Sequence, residues 1–429
     1  MKEWSLKKLG EVSEFTNGGA WKPEEYVEYG IPVVRVSDIQ NETISLEQCK
    51  YLSLESVSKY RKHTLFEGDL VIATVGSHPT QPGSVVGRPG IVSRYVQGAL
   101  LNQNAVRITP INSSLDKKYL GYLGKSQFFR NYIIQCARGA ANQVRMSIGL
   151  LKEMEVLLPS LSTQRKIAAV LSNYDRLIEN NTRRIEILEE MARSLYDEWF
   201  VEFRFPGYEQ TKMVDSELGV IPEGWEFKSI GEVIETIGGG TPSTKEKEYW
   251  HNGDILWYTP SDLTSTNSMF IAESEKKITA LGLKKSSARM FPPYSVMMTS
   301  RATIGVVALN NKEACTNQGF ITCIPSNKLP AYQIYFWILN NKDKIISLAS
   351  GATFKEINKT TFRSLPIIIV ADNTRESFIQ IINPVCNQIE NLQTKNNNLR
   401  RTRDLLLPKL ISGEIDVENL DIETEVIAA

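Results

Sequence analysis

Two stretches of this chain carry the same seam. From Ile167 to Trp199, residues Ile167, Leu171, Tyr174, Ile178, Asn181, Ile185, Leu188, Ala192, Leu195 and Trp199 are spaced by alternating fours and threes. From Phe378 to Leu410 the same spacing recurs, each position 211 residues later. Such spacing lays one narrow, mostly apolar stripe along a helix, as a coiled coil requires. It predicts two helices, each roughly 50 Å long at ~1.5 Å rise per residue. The first stretch has no proline, and only Pro384 and Pro408 interrupt the second.

Each seam holds one asparagine, Asn181 and Asn396. In a fully overlapped antiparallel pair, facing positions add to 577 and Asn181 faces Asn396. A parallel pair sets Asn181 against Leu392 and Asn396 against Ile185. Each unpartnered buried amide costs on the order of 1–3 kcal/mol. The expectation is an antiparallel pair with the asparagines in contact as a register device. The alternatives are a one-heptad shift or asparagines turned to solvent.

The helices belong to a larger repeat. Trp4, Gly10-Glu11-Val12 and Gly18-Gly19 recur as Trp225, Gly231-Glu232-Val233 and Gly239-Gly240. Ser37-Asp38 recurs as Ser261-Asp262, Asn102-Gln103 as Asn317-Gln318, and Gly139-Ala140 as Gly351-Ala352. The order holds while the offset drifts, as insertions and deletions require. Alternating or β-branched runs predict strands at 31–36, 70–74, 105–108 and 154–158, and again at 255–258, 295–299, 320–324 and 366–370. A helical stretch precedes the last strand of each set, near 119–136 and 332–349. Thr163 and Thr374 are candidate N-caps of the long helices.

The fold class is therefore α+β: two repeated mixed α/β domains separated by a long antiparallel two-helix coiled coil, related by a pseudo-twofold. The domain plan is a first unit 1–160, a first long helix 161–202, a connector 203–222, a second unit 223–372, a second long helix 373–412 and an acidic tail 413–429.

Composition excludes little but directs the search. The chain has 429 residues, 42% of them hydrophobic, enough for several cores. No apolar run reaches the ~18 residues needed to cross a membrane, and the start lacks the apolar stretch of a signal peptide. Five scattered cysteines show no metal spacing. A cytoplasmic protein with free thiols is expected. Net charge is zero, yet Lys and Arg exceed Asp and Glu by 4 in residues 1–160 and by 3 in 221–370, with deficits of 3 in 161–220 and 4 in 371–429. Mildly basic domains on an acidic frame suit contact with phosphate.

Catalytic signatures are absent. His63, His78 and His251 have no spaced partner for a metal or a nucleophile. No phosphate-binding GxxxxGK[ST] loop occurs. Phe291-Pro292-Pro293-Tyr294 lacks the polar first residue an amino-methyltransferase needs. Asp262 with Glu275 and Lys277 only faintly suggests a nuclease metal site. No catalytic or metal residue and no cofactor is assigned. The glycine pairs read as turns feeding backbone into a contact surface.

What remains is a set of polar and basic residues suited to DNA. In the first unit it comprises Lys22, Arg35, Ser37, Thr74, Ser77, Gln81, Arg88, Asn102, Gln103, Arg138, Asn142, Gln143 and Arg145. In the second it comprises Thr241, Ser243, Lys245, Tyr258, Ser261, Thr299, Ser300, Arg301, Asn317, Gln318, Thr353 and Lys355. Arg, Asn and Gln read base edges, while Lys, Ser and Thr hold phosphates. Trp199, Phe200 and Phe203, apolar and near a helix end, are candidates for docking another subunit, or for packing within the chain.

The doubled plan resembles the specificity subunit of type I restriction–modification systems. The resemblance rests on Leu158-Pro159 through Gln164 and Ile167 at the entry to the first helix, and on Trp199-Phe200 through Pro206-Gly207 at its exit. It rests also on Glu217-Leu218-Gly219 through Pro222-Glu223-Gly224-Trp225, and on Pro408-Lys409-Leu410 through Gly413-Glu414-Ile415. It covers the whole chain. One departure is Ile369-Val370-Ala371-Asp372-Asn373-Thr374-Arg375, where the usual proline and glutamine before the second helix are lost. The resemblance implies two target recognition domains reading a split, asymmetric double-stranded DNA target. It implies two adenine-N6 methyltransferase (modification) subunits docked on the helices, joined by restriction (motor–nuclease) subunits. S-adenosylmethionine and ATP would sit in those partners, and this chain would catalyse nothing. The competing readings are a stand-alone DNA methyltransferase or nuclease, and a coiled-coil scaffold without DNA contact.

Overall fold

Strand and helix order repeat along the chain. The computed structural model describes residues 4–40, 43–79, 84–140, 143–266, 268–351 and 355–423, with the side chains of 138–140 and 143 outside the description. Two compact units divide it: residues 1–178 with 398–429, and residues 179–397. The division falls within both long helices.

In the first unit, strand Leu70–Ala73 lies between Pro89–Ile91 and Ala105–Pro110, and Ser13–Asn17 completes an antiparallel four-stranded sheet. Successive strand side chains alternate faces. Leu70 and Ile72 pack with Val106, Ile108, Tyr119, Leu120, Phe129 and Ile133. Val71 and Ala73 face the other way, onto Val34, Ile39, Leu65, Val96 and Leu101. Both faces are covered, which explains the unbroken apolar run. A second four-stranded sheet holds Leu100–Leu101, Ile31–Val34, Lys50–Leu52 and Tyr26–Val27. Ser5–Lys8 pairs antiparallel with Glu155–Leu158.

The second unit repeats this logic. Its five-stranded sheet runs Glu235–Gly238, Phe320–Ile324, Val296–Thr299, Val307–Asn310, Phe270–Ile271. Val296 and Met298 pack with Ile334 and Ile338, and Met297 packs with Leu256, Tyr258 and Phe320 on the other face. Glu226–Ser229 pairs with Pro366–Ile369 as Ser5–Lys8 does with Glu155–Leu158.

Each expected helical stretch is two helices. Lys117–Lys125 and Gln127–Cys136 are separated at Ser126, whose hydroxyl accepts from Phe129 N at 3.2 Å and starts the second. Ala331–Asn340 and Lys342–Ser347 are separated at Asn341.

The long helices run Leu161–Phe200 and Asp372–Ile411, 40 residues each and offset by 211 at both ends. Thr163 and Thr374 are not the caps. Ser160 Oγ accepts from Thr163 N at 3.2 Å, so the helix starts three residues earlier, and Thr374 lies in the first turn after Asp372. The lost glutamine has a visible counterpart. Gln164 is fully buried, donating to Ser114 O and Pro159 O at 2.9 Å and accepting from Asp116 N at 2.8 Å. Arg375, 211 positions on, instead donates to Asp372 Oδ1 at 2.5 Å.

Within the second unit, Asn181 Nδ2 donates to Asn396 Oδ1 at 2.9 Å, and the Trp199 and Phe378 rings lie 5.8 Å apart. Both pairs of numbers add to 577, and the two helix segments run in opposite directions. Within the first unit, Ile167 and Leu410 share a core, and Arg403 Nη1 donates to Asp175 Oδ1 at 2.5 Å.

The connector and the described part of the acidic tail are folded. Phe205 and Ile221 of the connector are buried in the second unit, and Met213–Ser216 pairs with Gly219–Pro222. In the tail, Val417 is buried in the first unit, and Lys166 Nζ donates to Glu418 O and Leu420 O at 2.8 Å.

Candidate nucleic-acid interface

The repeated glycine pairs organise the loops. A Cβ on Gly18 would stand 1.9 Å from Asn102 O, and one on Gly239 would stand 2.1 Å from Asn317 O. Only glycine allows this backbone approach. Gly19 N donates to Leu101 O at 2.8 Å, and Gly240 N to Thr316 O at 2.9 Å. The repeated Asn-Gln thus forms the wall against which each glycine turn lies.

Further backbone bonds extend the cluster. In the first unit, Thr74 N donates to Asn104 O at 2.7 Å, and Met146 N to Thr74 O at 2.9 Å. In the second, Ser300 N donates to Gly319 O at 2.8 Å, and Ile357 N to Ser300 O at 3.1 Å. Four loop segments are linked in each unit: 17–22, 101–104, 74–77 and 143–146 in one, and 238–243, 316–319, 299–302 and 355–357 in the other.

The first unit's edge is a three-stranded ribbon, Ala137–Ala140, Gln143–Met146 and Val75–Gly76. Val144 and Met146 are buried while Arg145 is exposed, and Arg138 is its cross-strand partner. The second unit places Arg301 opposite Glu356, with Nε donating to Oε1 at 2.7 Å. Thr241 Oγ1 donates to Gln318 Oε1 at 2.6 Å, which joins two expected contact residues.

Exposed on these and neighbouring loops are Lys22, Ser37, Gln103, Arg145, Thr241, Ser243, Lys245, Ser261, Arg301, Gln318 and Lys355. Thr74, Ser77, Asn102 and Asn317 are half-buried. Gln81, Asn142 and Thr353 lie outside the described residues, as do the side chains of Arg138 and Gln143.

Three residues are misplaced by the sequence reading. Tyr258, Thr299 and Ser300 are buried, and cannot touch DNA in this structure. Tyr258 OH donates to Ile271 O at 3.3 Å, and burial pushes its hydroxyl above the usual range. Thr299 Oγ1 donates to Thr303 O and accepts from Val306 N at 3.0 Å, closing a turn. Two arginines are committed to their own chain. Arg35 grips Asp38 through Nε and Nη2 at 3.0 and 2.8 Å, and Arg88 donates to Ile39 O and Ser84 O.

The repeated aspartates are structural. Asp38 Oδ2 accepts from Arg35 N at 2.8 Å, and Asp262 Oδ2 accepts from Thr259 N at 2.7 Å. Asp262 Oδ1 is taken by Glu275 N at 2.7 Å, which accounts for the faint nuclease pattern.

The aromatic candidates for docking are also reassigned. Trp199 and Phe200 are 4 and 5% exposed, so their surface is already spent inside the second unit. Phe200 meets Phe378 edge-on at 4.7 Å, and Trp225 gathers Phe200, Phe203 and Phe205 within 6.2 Å. Of the two readings of these residues, packing within the chain is the one observed.

Sequence reasoning passed over Trp21 and weighed His63 only as a metal or nucleophile partner, yet both flank Gly19. Trp21 Nε1 donates to Tyr26 OH at 3.0 Å, and His63 Nδ1 lies 2.9 Å from Asn17 O. Neither falls within the paired motifs, so the repeat gave no signal for them.

Comparison with known proteins follows the same doubling. The family model described as the type I restriction modification DNA specificity domain matches residues 1–190 and again 222–401. The type I restriction enzyme MjaIX specificity subunit of Methanocaldococcus jannaschii is 32% identical over 205 residues, 47% of this chain and 46% of that one. That match spans about half the length of the relative. The HindI specificity subunit of Haemophilus influenzae is 22% identical over 475 residues, 97% of this chain and 100% of that one. The fold is like that of the type I restriction–modification S subunit from M. genitalium, with TM-score 0.58, 15% identity and 95 and 96% of the two chains covered.

Proposed function

The chain belongs to the type I restriction modification DNA specificity family, and from that premise we propose that it is the sequence-reading subunit of a restriction–modification complex. The observation that carries the reading is the family match occurring twice along one chain. Each match is proposed to be a target recognition domain for one half of a split double-stranded DNA target. The two loop clusters differ in their charged groups, Arg145 in one and the Arg301–Glu356 pair in the other, which supports an asymmetric target.

The domain plan stays that of the sequence: recognition domains 1–160 and 223–372, helices 161–202 and 373–412, with a connector 203–222 and a tail 413–429. The helices form a two-stranded coiled coil, and the two halves of the chain are related by a pseudo-twofold. The asparagine contact and the register around it support this. The length of the helix pair sets the spacer between half-sites. Two adenine-N6 methyltransferase subunits dock on the helices, and restriction subunits join them in the cytoplasm. As a specificity subunit the chain performs no bond chemistry.

The residues proposed for DNA are the exposed and half-buried ones of the loop clusters, together with Gln81, Arg138, Asn142, Gln143 and Thr353. Arg and Lys there neutralise phosphate, so affinity should fall steeply with salt. Filter binding of the chain with its methyltransferase subunits, across a salt series, tests this. Binding that ignores salt would contradict it.

A further inference from the structure

We propose that the two long helices carry a matched set of polar contacts that lets each pair with the other and refuses a copy of itself. The internal repeat creates the problem. Because the seams are 211 residues apart with one spacing, two copies of the first helix could align antiparallel as well as the first aligns with the second. Apolar residues alone would not separate these arrangements.

The polar residues do separate them. Asn181 corresponds to Leu392, and Asn396 to Ile185. Asp175 corresponds to Cys386, and Arg403 to Ala192. Each of these four polar groups therefore has an apolar counterpart on the other helix.

In the unlike pairing both contacts are satisfied. Asn396 is 2% exposed and bonds Asn181 at 2.9 Å and Thr182 Oγ1 at 3.2 Å. Asp175 takes Arg403 Nη1 at 2.5 Å on one oxygen and Tyr122 OH at 2.6 Å on the other. In a like pairing of first helices, Asn181 would meet Ile185 and Asp175 would meet Ala192. In a like pairing of second helices, Asn396 would meet Leu392 and Arg403 would meet Cys386. Asp175 would keep Tyr122 and Lys125, and Arg403 would keep Asp404, so the amide left against hydrocarbon is the repulsive element that specificity needs. The surface that each helix presents thus fits one kind of partner, the unlike helix of this chain or of another copy.

The test co-expresses two differently tagged full-length copies and asks how much of one tag purifies with the other. Light scattering reports the size of the soluble species, and circular dichroism its helix content. N181L/N396L makes one layer apolar in every pairing. I185N/N396L moves the amide pair, so that two first helices match and the unlike pairing does not. Both variants are expected to bring down several-fold more of the second tag than wild type, as a soluble dimer with wild-type helix content. Variants that exceed wild type nowhere would overturn the proposal. Loss of helix in N181L/N396L would overturn it too, since the asparagines would then be required for folding and not for choice.

Discussion

The carbonyl oxygen of Asn102 lies where a Cβ on Gly18 would need to be, 1.9 Å away, and Asn317 stands in the same relation to Gly239 at 2.1 Å. The obstructing atoms are backbone, so a side chain cannot swing aside to relieve the overlap. G18A and G239A should each destabilise by about 1–3 kcal/mol, the range for overpacking a tight site. Gly238 has nothing within 4 Å of its would-be Cβ, so G238A should stay within about 0.5 kcal/mol of wild type, as open sites do. Urea unfolding of the three variants reads the difference, and equal losses would remove the explanation of the glycine repeat.

Glu189 makes stability depend on pH. Burial raises its carboxyl from 4.5 to about 7, against the lowering effect of Arg193. The folded protein then holds this proton more tightly than the unfolded chain. Stability from this group is full below the unfolded value and is lost as pH rises to about 7. E189Q should therefore gain on the order of 1–3 kcal/mol at alkaline pH, shrinking toward zero in acid. A thermal melt of E189Q and wild type at both extremes decides it, and a gain independent of pH would rule out ionisation as the cause.

The two arginines of the loop clusters should behave differently. Arg145 is exposed with no ion-pair partner among the described residues, whereas Arg301 holds Glu356 at 2.7 Å. If both face DNA, R145A should weaken binding and lower the salt slope by about one. E356Q should strengthen binding by freeing Arg301, since an exposed pair is worth only ~0–1 kcal/mol and phosphate can replace it. Y258F, buried, should leave the affinity unchanged.

Much of this was readable in the residues, and what was not has physical causes. The seam gave both long helices and the Asn181–Asn396 contact, because a helix-wide spacing averages over local exceptions. The apolar run at 255–258 predicts a strand, yet the sequence reading places Tyr258 against DNA. Its hydroxyl made it look polar, although both faces of that strand are covered. Thr299 and Ser300 failed likewise, since hydroxyls that close turns look the same in sequence as hydroxyls that meet phosphate. Trp199 and Phe200 could have been surface or core, and only the folded connector, with Phe205 and Trp225, decides between them. Ser126, which divides one helical stretch into two, is a single cap whose effect depends on the chain turning there.

The spacer of the target should follow the helices. Adding one heptad to both lengthens the pair by ~10 Å, which corresponds to about three base pairs at 3.4 Å each. Selection of bound sequences by the lengthened chain, with its methyltransferase subunits, should return the same half-sites with a longer gap. The same gap would mean the helices do not set it.

The most direct test of the central claim is to sequence methylated bases in cells carrying this chain with its methyltransferase. Two duplicated readers on one polypeptide should leave a single gapped motif, with two different specified halves and an unspecified spacer. A contiguous motif, or methylation unaltered when the chain is removed, would contradict the account.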